Sequence, residues 1–341
     1  MQPSAEYLSP ADAARRLGVS PKALRLYEQR GLLRPVRSGA GWRTYGPAEM
    51  ARAAEIAALR ALGLSLAQVA RVLGGDAQAL APALAAHQAA LEARLRQLAG
   101  TLETLRGLRA DLARGAAPAA GDLARLLAPG AGPGVAFDLP WPWGGERFEL
   151  PDIRALTYII GPLGSGKTRL GRRLAEALPG AAFLGLDRLA DAEARLAADP
   201  ALRARVEAAL AWLVEDGATT APALLALLAG LEAEGPAALV VDMVEQGLDQ
   251  PAQEALIAHL RRRPPGGSRP LFLLTRSSAI LDPAAIGPEE AIILCPANHS
   301  PPCRVAPYPG APGFEAVATC LASPAVRART AGVVAMRAPA T

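Results

Sequence analysis

The residues with the most legible chemistry lie between positions 161 and 168. Gly161, Pro162, Leu163, Gly164, Ser165, Gly166, Lys167 and Thr168 form a complete G-x-x-x-x-G-K-[ST] pattern. Its three glycines let backbone N–H groups turn inward around phosphate oxygens, while the lysine reaches the β- and γ-phosphates. The threonine hydroxyl is placed to bind Mg²⁺. Downstream, the apolar run Ala238–Val241 ends in Asp242, an acid suited to completing the Mg²⁺ site with Thr168. The expected cofactors are ATP and Mg²⁺. The expected binding set is Gly161, Gly164, Ser165, Gly166, Lys167, Thr168 and Asp242, with Thr168 and Asp242 holding the metal through the nucleotide.

These residues need a strand before the loop and a helix after it. Ala155–Ile160 is apolar and Arg169–Leu178 has a helical pattern, so the context is met. Further strands are expected at 155–160, 181–186, 237–241, 271–275 and 290–295. They alternate with helices, which predicts an α/β domain over 135–341 with a mainly parallel sheet. The stretch 189–233 is helical in pattern and interrupts the strand series.

The first 75 residues read differently. They hold eleven Lys/Arg against five Asp/Glu, whereas the whole chain of 341 residues carries a net charge of only +4. A basic excess at one end fits a phosphate-facing module. Ser9-Pro10 and Ser20-Pro21 start two short helices, which Gly18 and Gly31 close. The pair makes a helix-turn-helix, followed by a Gly-rich loop at 36–45 long enough for a wing, and by helices at about 47–61 and 65–73. Lys22, Arg25 and Tyr27 on the second helix are expected to face the major groove and its phosphates. Arg43 and Tyr45 in the wing are expected to clamp the DNA backbone.

Residues 76–114 place Leu80, Leu84, Leu91, Leu95, Leu98, Leu102, Leu105 and Leu112 at steps of three and four, with His87 on the same stripe. This predicts a coiled-coil dimerisation helix. His87 is either a polar residue setting register or a ligand for an effector. Residues 115–134, rich in Pro, Gly and Ala, read as a linker with one short helix at 121–128.

At this point a resemblance enters. Leu24–Leu33, Gly41-Trp42-Arg43-Thr44-Tyr45 and Leu59–Leu66 resemble, in order, the winged helix-turn-helix of the MerR family of transcription regulators. The resemblance implies a homodimer through 76–114, double-stranded promoter DNA as partner and contact with RNA polymerase. Leu26 stands where the family usually has a second aromatic. The region 76–134 lacks the cysteines of the metal-sensing members. Asp242 followed by Gly247-Leu248-Asp249 resembles the acid strand and following turn of ABC-type ATPases. There Met243 occupies the usual catalytic glutamate position and Arg276 the switch histidine position, and no Leu-Ser-Gly-Gly-Gln-like signature appears. Losing a positioned base costs ~10²–10⁴ in rate. Glu245 is either a substitute base or a solvated loop acid.

The whole is therefore read as a multi-domain regulator. Its winged helix-turn-helix spans 1–75, a coiled-coil helix 76–114, a linker 115–134 and an ABC-like P-loop domain 135–341. ATP binding, with at most slow hydrolysis, is expected to modulate DNA binding. The alternative is an autoregulating small-molecule kinase or ATPase, with Asp187 binding substrate rather than capping a helix. Cys295, His299, Cys303 and Cys320 are either reduced thiols and a loop histidine or part of a metal site. Three cysteines fit a reducing cytoplasm, no apolar run approaches the ~18 residues of a membrane span, and the N-terminus lacks the pattern of a signal peptide.

Overall fold

A computed structural model describes residues 7–116, 134–263 and 269–330. The linker expected at 115–134, with its helix at 121–128, lies almost wholly outside the described residues.

The N-terminal region is helical. Helices α1 (Pro10–Leu17) and α2 (Pro21–Gln29) form the helix-turn-helix. Each starts on a serine whose hydroxyl accepts a backbone N–H, Ser9 from Asp12 and Ser20 from Ala23. Such caps contribute ~1 kcal/mol apiece. Strands β1 (Val36–Arg37) and β2 (Arg43–Thr44) pair antiparallel as the wing. Helices α3 (Pro47–Ala61) and α4 (Leu66–Leu73) follow, the second opened by a Ser65/Gln68 capping box. Ala13, Ala14, Leu24, Tyr27, Leu33, Tyr45, Ala53, Ile56 and Val69 are buried together as one core.

Helix α5 (Leu80–Ala113) runs for 34 residues. Leu84, Leu91, Leu98, Leu105 and Leu112 recur every seventh residue, with Leu95 and Leu102 between them, and all seven are exposed. A stripe of that period is the pattern expected of a coiled-coil seam.

The C-terminal region is α/β. A hairpin, β3 (Val135–Asp138) and β4 (Arg147–Leu150), leads into β5 (Leu156–Ile160). Helix α6 (Lys167–Ala177) and β6 (Ala181–Leu184) come next. Three helices, α7 (Ala192–Ala198), α8 (Pro200–Glu215) and α9 (Pro222–Leu231), precede β7 (Ala238–Val241). Then follow α10 (Gln250–Arg261), β8 (Leu271–Leu274), β9 (Glu290–Leu294), β10 (Cys303–Val305), α11 (Phe314–Cys320) and α12 (Pro324–Thr330). The sheet order is β10-β9-β5-β8-β7-β6, parallel except for β10.

Both faces of this sheet are covered, so its strands are apolar throughout. Along β5, Tyr158 and Ile160 join the core under α8, α9 and α10, while Ile159 joins the core under α6 and the β3–β4 hairpin. That two-sided burial is why the strands read as continuous apolar runs rather than alternating ones. All five expected strands are present. The β3–β4 hairpin and the antiparallel edge strand β10 were not foreseen.

Candidate functional site

Ile160 delivers the chain into the 161–168 loop, and α6 begins at Lys167. Gly164 and Gly166 have φ of 80° and 90°, a region that side-chain-bearing residues rarely adopt. Space is as restrictive as torsion. A Cβ on Gly161 would collide with the Cys295 carbonyl and stand 2.6 Å from Ser165 Oγ; one on Gly166 would stand 2.6 Å from the Trp143 ring. The result is a narrow cradle at the open N-terminus of an eleven-residue helix, where N–H groups and helix dipole favour an anion.

Lys167 folds back into this cradle and donates to Gly161 O (2.6 Å) and Pro162 O (2.7 Å). Burial lowers its pKa, with the neighbouring Arg276 charge acting in the same direction. Thr168 Oγ1 donates to Asp242 Oδ2 at 2.9 Å, although β8 separates the strand of the loop from the strand of the acid. Asp242 is 4% exposed. An inward ammonium beside a hydroxyl–carboxylate pair suits a phosphate chain with its divalent cation. Ser165 is buried in the loop wall.

The surroundings of Asp242 correct two expectations. Glu245 is neither a solvated loop acid nor a free base. It is 3% exposed, accepts from the Arg276 backbone N–H (3.0 Å), and is ion-paired with Arg327 of α12. The Arg327 guanidinium occupies this carboxylate, so catalysis by Glu245 would require Arg327 to leave. Met243, at the position after the acid, has φ of 43°. Asp187, favoured as a cap, is exposed in a turn; the next helix starts at Ala192 behind Asp191. Its neighbour Arg188 carries the structural role instead, donating to Gly185 O, Asp242 O and Met243 O.

Sequence reading missed the roof over the loop. Trp143 packs against Gly166 and donates from Nε1 to Ser300 O (3.1 Å), and His299 Nε2 lies 3.1 Å from Gly164 O. Trp141 is 69% exposed, with the Arg169 guanidinium 4.5 Å from its ring centroid. The available signal was a Trp-Pro-Trp turn shortly before the glycine loop. Among the described residues, no group of three or more His, Cys, Asp or Glu converges to hold an ion. Cys295 is buried and its thiol is pushed up to about 12 by that burial.

In the head, Arg25 is exposed on α2. Arg43 is half-buried and paired with Glu28 at 2.9 Å. Tyr27 and Tyr45 are corrected: they are 4% and 1% exposed and belong to the core. The Tyr45 hydroxyl donates to Glu28, so this ring ties wing to helix rather than clamping DNA. Lys22 Nζ lies 3.2 Å from Glu254 Oε1 on α10 and donates to Ser278 O at 3.2 Å.

That contact belongs to a wider union of head and α/β domain. The Asp216 carboxylate, at the end of α8, accepts both terminal nitrogens of Arg60 and the Leu66 N–H that opens α4. Glu215 meets Ser65 and Arg71, and Trp212 Nε1 donates to Gly63 O. The Trp212 ring is flanked by the guanidiniums of Arg60 and Arg262. A cleft of about 850 Å³ remains between the two parts.

Comparison with known proteins agrees on the head. Residues 8–75 match the family described as MerR HTH family regulatory protein. An uncharacterized HTH-type transcriptional regulator of Pseudomonas aeruginosa is 35% identical over 107 residues, which cover 28% of this chain and 79% of that protein. A probable heavy metal-dependent transcriptional regulator of Haemophilus influenzae is 42% identical over 64 residues, 18% of this chain. The chain spans half the length of that relative.

The chain belongs to the MerR family of helix-turn-helix regulatory proteins. Among solved structures it is similar to a MerR family regulator lacking the sensor domain, HiNmlR, bound to promoter DNA (24% identity, TM-score 0.25, covering 33% of this chain and 92% of that one). It is also similar to a bacterial Atm1-family ABC exporter with ATP bound (14% identity, TM-score 0.35, covering 48% and 37%). No helix among the described residues is long and apolar enough to cross a membrane.

Proposed function

We propose that this chain is a MerR-type, promoter-binding regulator whose C-terminal domain binds ATP with Mg²⁺ at the 161–168 loop, and that nucleotide occupancy modulates DNA binding. The carrying observation is Thr168 held on Asp242 at 2.9 Å beside an inward Lys167 in a glycine cradle. ATP supplies a phosphate chain and the divalent cation its charge. Lys167 would exchange its two carbonyl partners for phosphate oxygens, and Thr168 and Asp242 would hold the cation. Arg327 on Glu245 favours binding over turnover. The exposed leucine stripe of α5 supports a homodimer through that helix, and the family resemblance supports RNA polymerase as a further partner.

The test is calorimetry with ATP·Mg²⁺ on the whole protein, alongside DNA affinity at fixed salt with and without nucleotide. Wild type is expected to bind ATP and to change its DNA affinity on doing so. Lys167→Ala is expected to bind ATP at least ~100-fold more weakly, a loss on the scale of a charged hydrogen-bonding partner. Absence of ATP binding by wild type would overturn the proposal.

Asp187, exposed rather than capping a helix, supports a second reading: an autoregulating small-molecule kinase or ATPase with a DNA-targeting head. Substrate-stimulated nucleotide turnover, lost in Asp187→Ala, would establish it.

A further inference from the structure

We propose that the α/β domain latches the DNA-reading helix through Lys22, so that the latch and a DNA phosphate compete for one ammonium group. The inference rests on the DNA-binding part of the reading above, not on nucleotide binding. Lys22 sits in the first turn of α2, the part of a recognition helix that approaches the groove. Its Nζ is held from two sides, by the Glu254 carboxylate of α10 and by the Ser278 carbonyl in the loop after β8. An ammonium so engaged cannot also neutralise a phosphate. The docked carboxylate further opposes the negative duplex. The same edge of the head is steadied by Arg30, whose guanidinium packs directly on the Gly217 backbone.

The two arms of the latch are tied to each other by hydrogen bonds. Ser277 donates to the neighbour of Glu254, Gln253 Oε1, at 2.5 Å, and Gln253 Nε2 donates to Leu248 O at 2.7 Å. The loop then runs back two residues from Ser278 to Arg276. The Arg276 backbone is bound by Glu245, and its charge is felt by Lys167. Phosphate in the glycine cradle would attract Arg276, and a shift there pulls on the carbonyl that holds Lys22. The separate anchor joins Asp216, at the end of α8, to Arg60 of α3 and to the Leu66 N–H that opens α4, so the reading helix can be released without the head detaching.

The experiment uses the full-length protein without nucleotide and a fluorescein-labelled duplex of random sequence, read by anisotropy across a salt series. Glu254→Gln keeps the side-chain shape and removes the charge. It is expected to bind about two- to fivefold more tightly per head, the scale of a partly exposed ion pair. Its plot of log affinity against log salt should be steeper by about 0.9 per head, the signature of one more neutralised phosphate. Removing any acid near DNA strengthens binding somewhat, so the decisive comparison is Glu254→Gln in a Lys22→Ala background. The latch requires the gain in slope to vanish there; a gain that persists, or no gain with Lys22 present, overturns it. Since nucleotide is absent, a failure of the ATP reading leaves this outcome untouched. A second arm adds ATP·Mg²⁺ to wild type. A slope that steepens to the Glu254→Gln value assigns release to the cradle, and an unchanged slope with nucleotide bound by calorimetry overturns that link.

Discussion

Replacing Asp216 with alanine is expected to undo the union of head and α/β domain. The side chain is 2% exposed, and its main partner Arg60 is 17% exposed. One carboxylate serves three donors: both Arg60 terminal nitrogens and the Leu66 N–H, the last at 2.8 Å. Removing it leaves a guanidinium beside the Trp212 ring and an N–H at the start of α4 without their anion. Breaking one side of a buried ion pair costs ~3–5 kcal/mol. Glu215, one residue earlier, provides the contrast. Its side chain is 35% exposed and its pair with Arg71 is 3.4 Å, so Glu215→Ala should cost under ~1 kcal/mol. Urea unfolding followed by Trp fluorescence and circular dichroism reads both. Wild type should unfold with coincident signals, and Asp216→Ala should show a weakened transition in which the domains separate. The Arg60→Ala/Asp216→Ala double variant should show a coupling of at least ~2 kcal/mol. A loss below ~1 kcal/mol with unchanged cooperativity, or strict additivity, would refute the account.

Two further outcomes follow from burial and periodicity. Folding holds the Cys295 thiol protonated, from an ordinary value of 9.0 up to about 12, so its contribution to stability is complete below about pH 9 and is lost as pH rises toward 12. Stability measured at pH 8 and 10.5 should fall more in wild type than in Cys295→Ala. Exposed Cys303 should also be alkylated well before Cys295, as read by mass spectrometry. On α5, Leu98→Glu places a charge in the leucine stripe. Sedimentation should show the dimer weakened at least ~100-fold, since each seam leucine buries ~1.5–3 kcal/mol of apolar contact; an unchanged mass would exclude that seam.

Much of the architecture was legible because it is local. Ser9, Ser20 and Ser65 announce helix starts by capping chemistry that acts within four residues. The strands over 156–160, 238–241 and 271–274 are apolar on both faces because both faces are covered. The glycine cradle was readable because left-handed torsions and close approach to Trp143 admit little else. Less legible were roles that depend on what packs alongside. Tyr27 and Tyr45 carry types suited to DNA contact, yet the fold turns both inward. Glu245 was open to two roles, and α12, more than seventy residues away, brought Arg327 to it.

The sequence by itself determined the two modules, the loop that would hold phosphate and the seven-residue stripe of α5, since each is written in spacings of a few residues. Only the tertiary structure decided how the modules meet. Lys22 and Glu254, and Arg60 and Asp216, lie more than a hundred residues apart along the chain. No local pattern marks such partners, because an ion pair is selected by where the completed cores carry each charge, not by the residues that flank it.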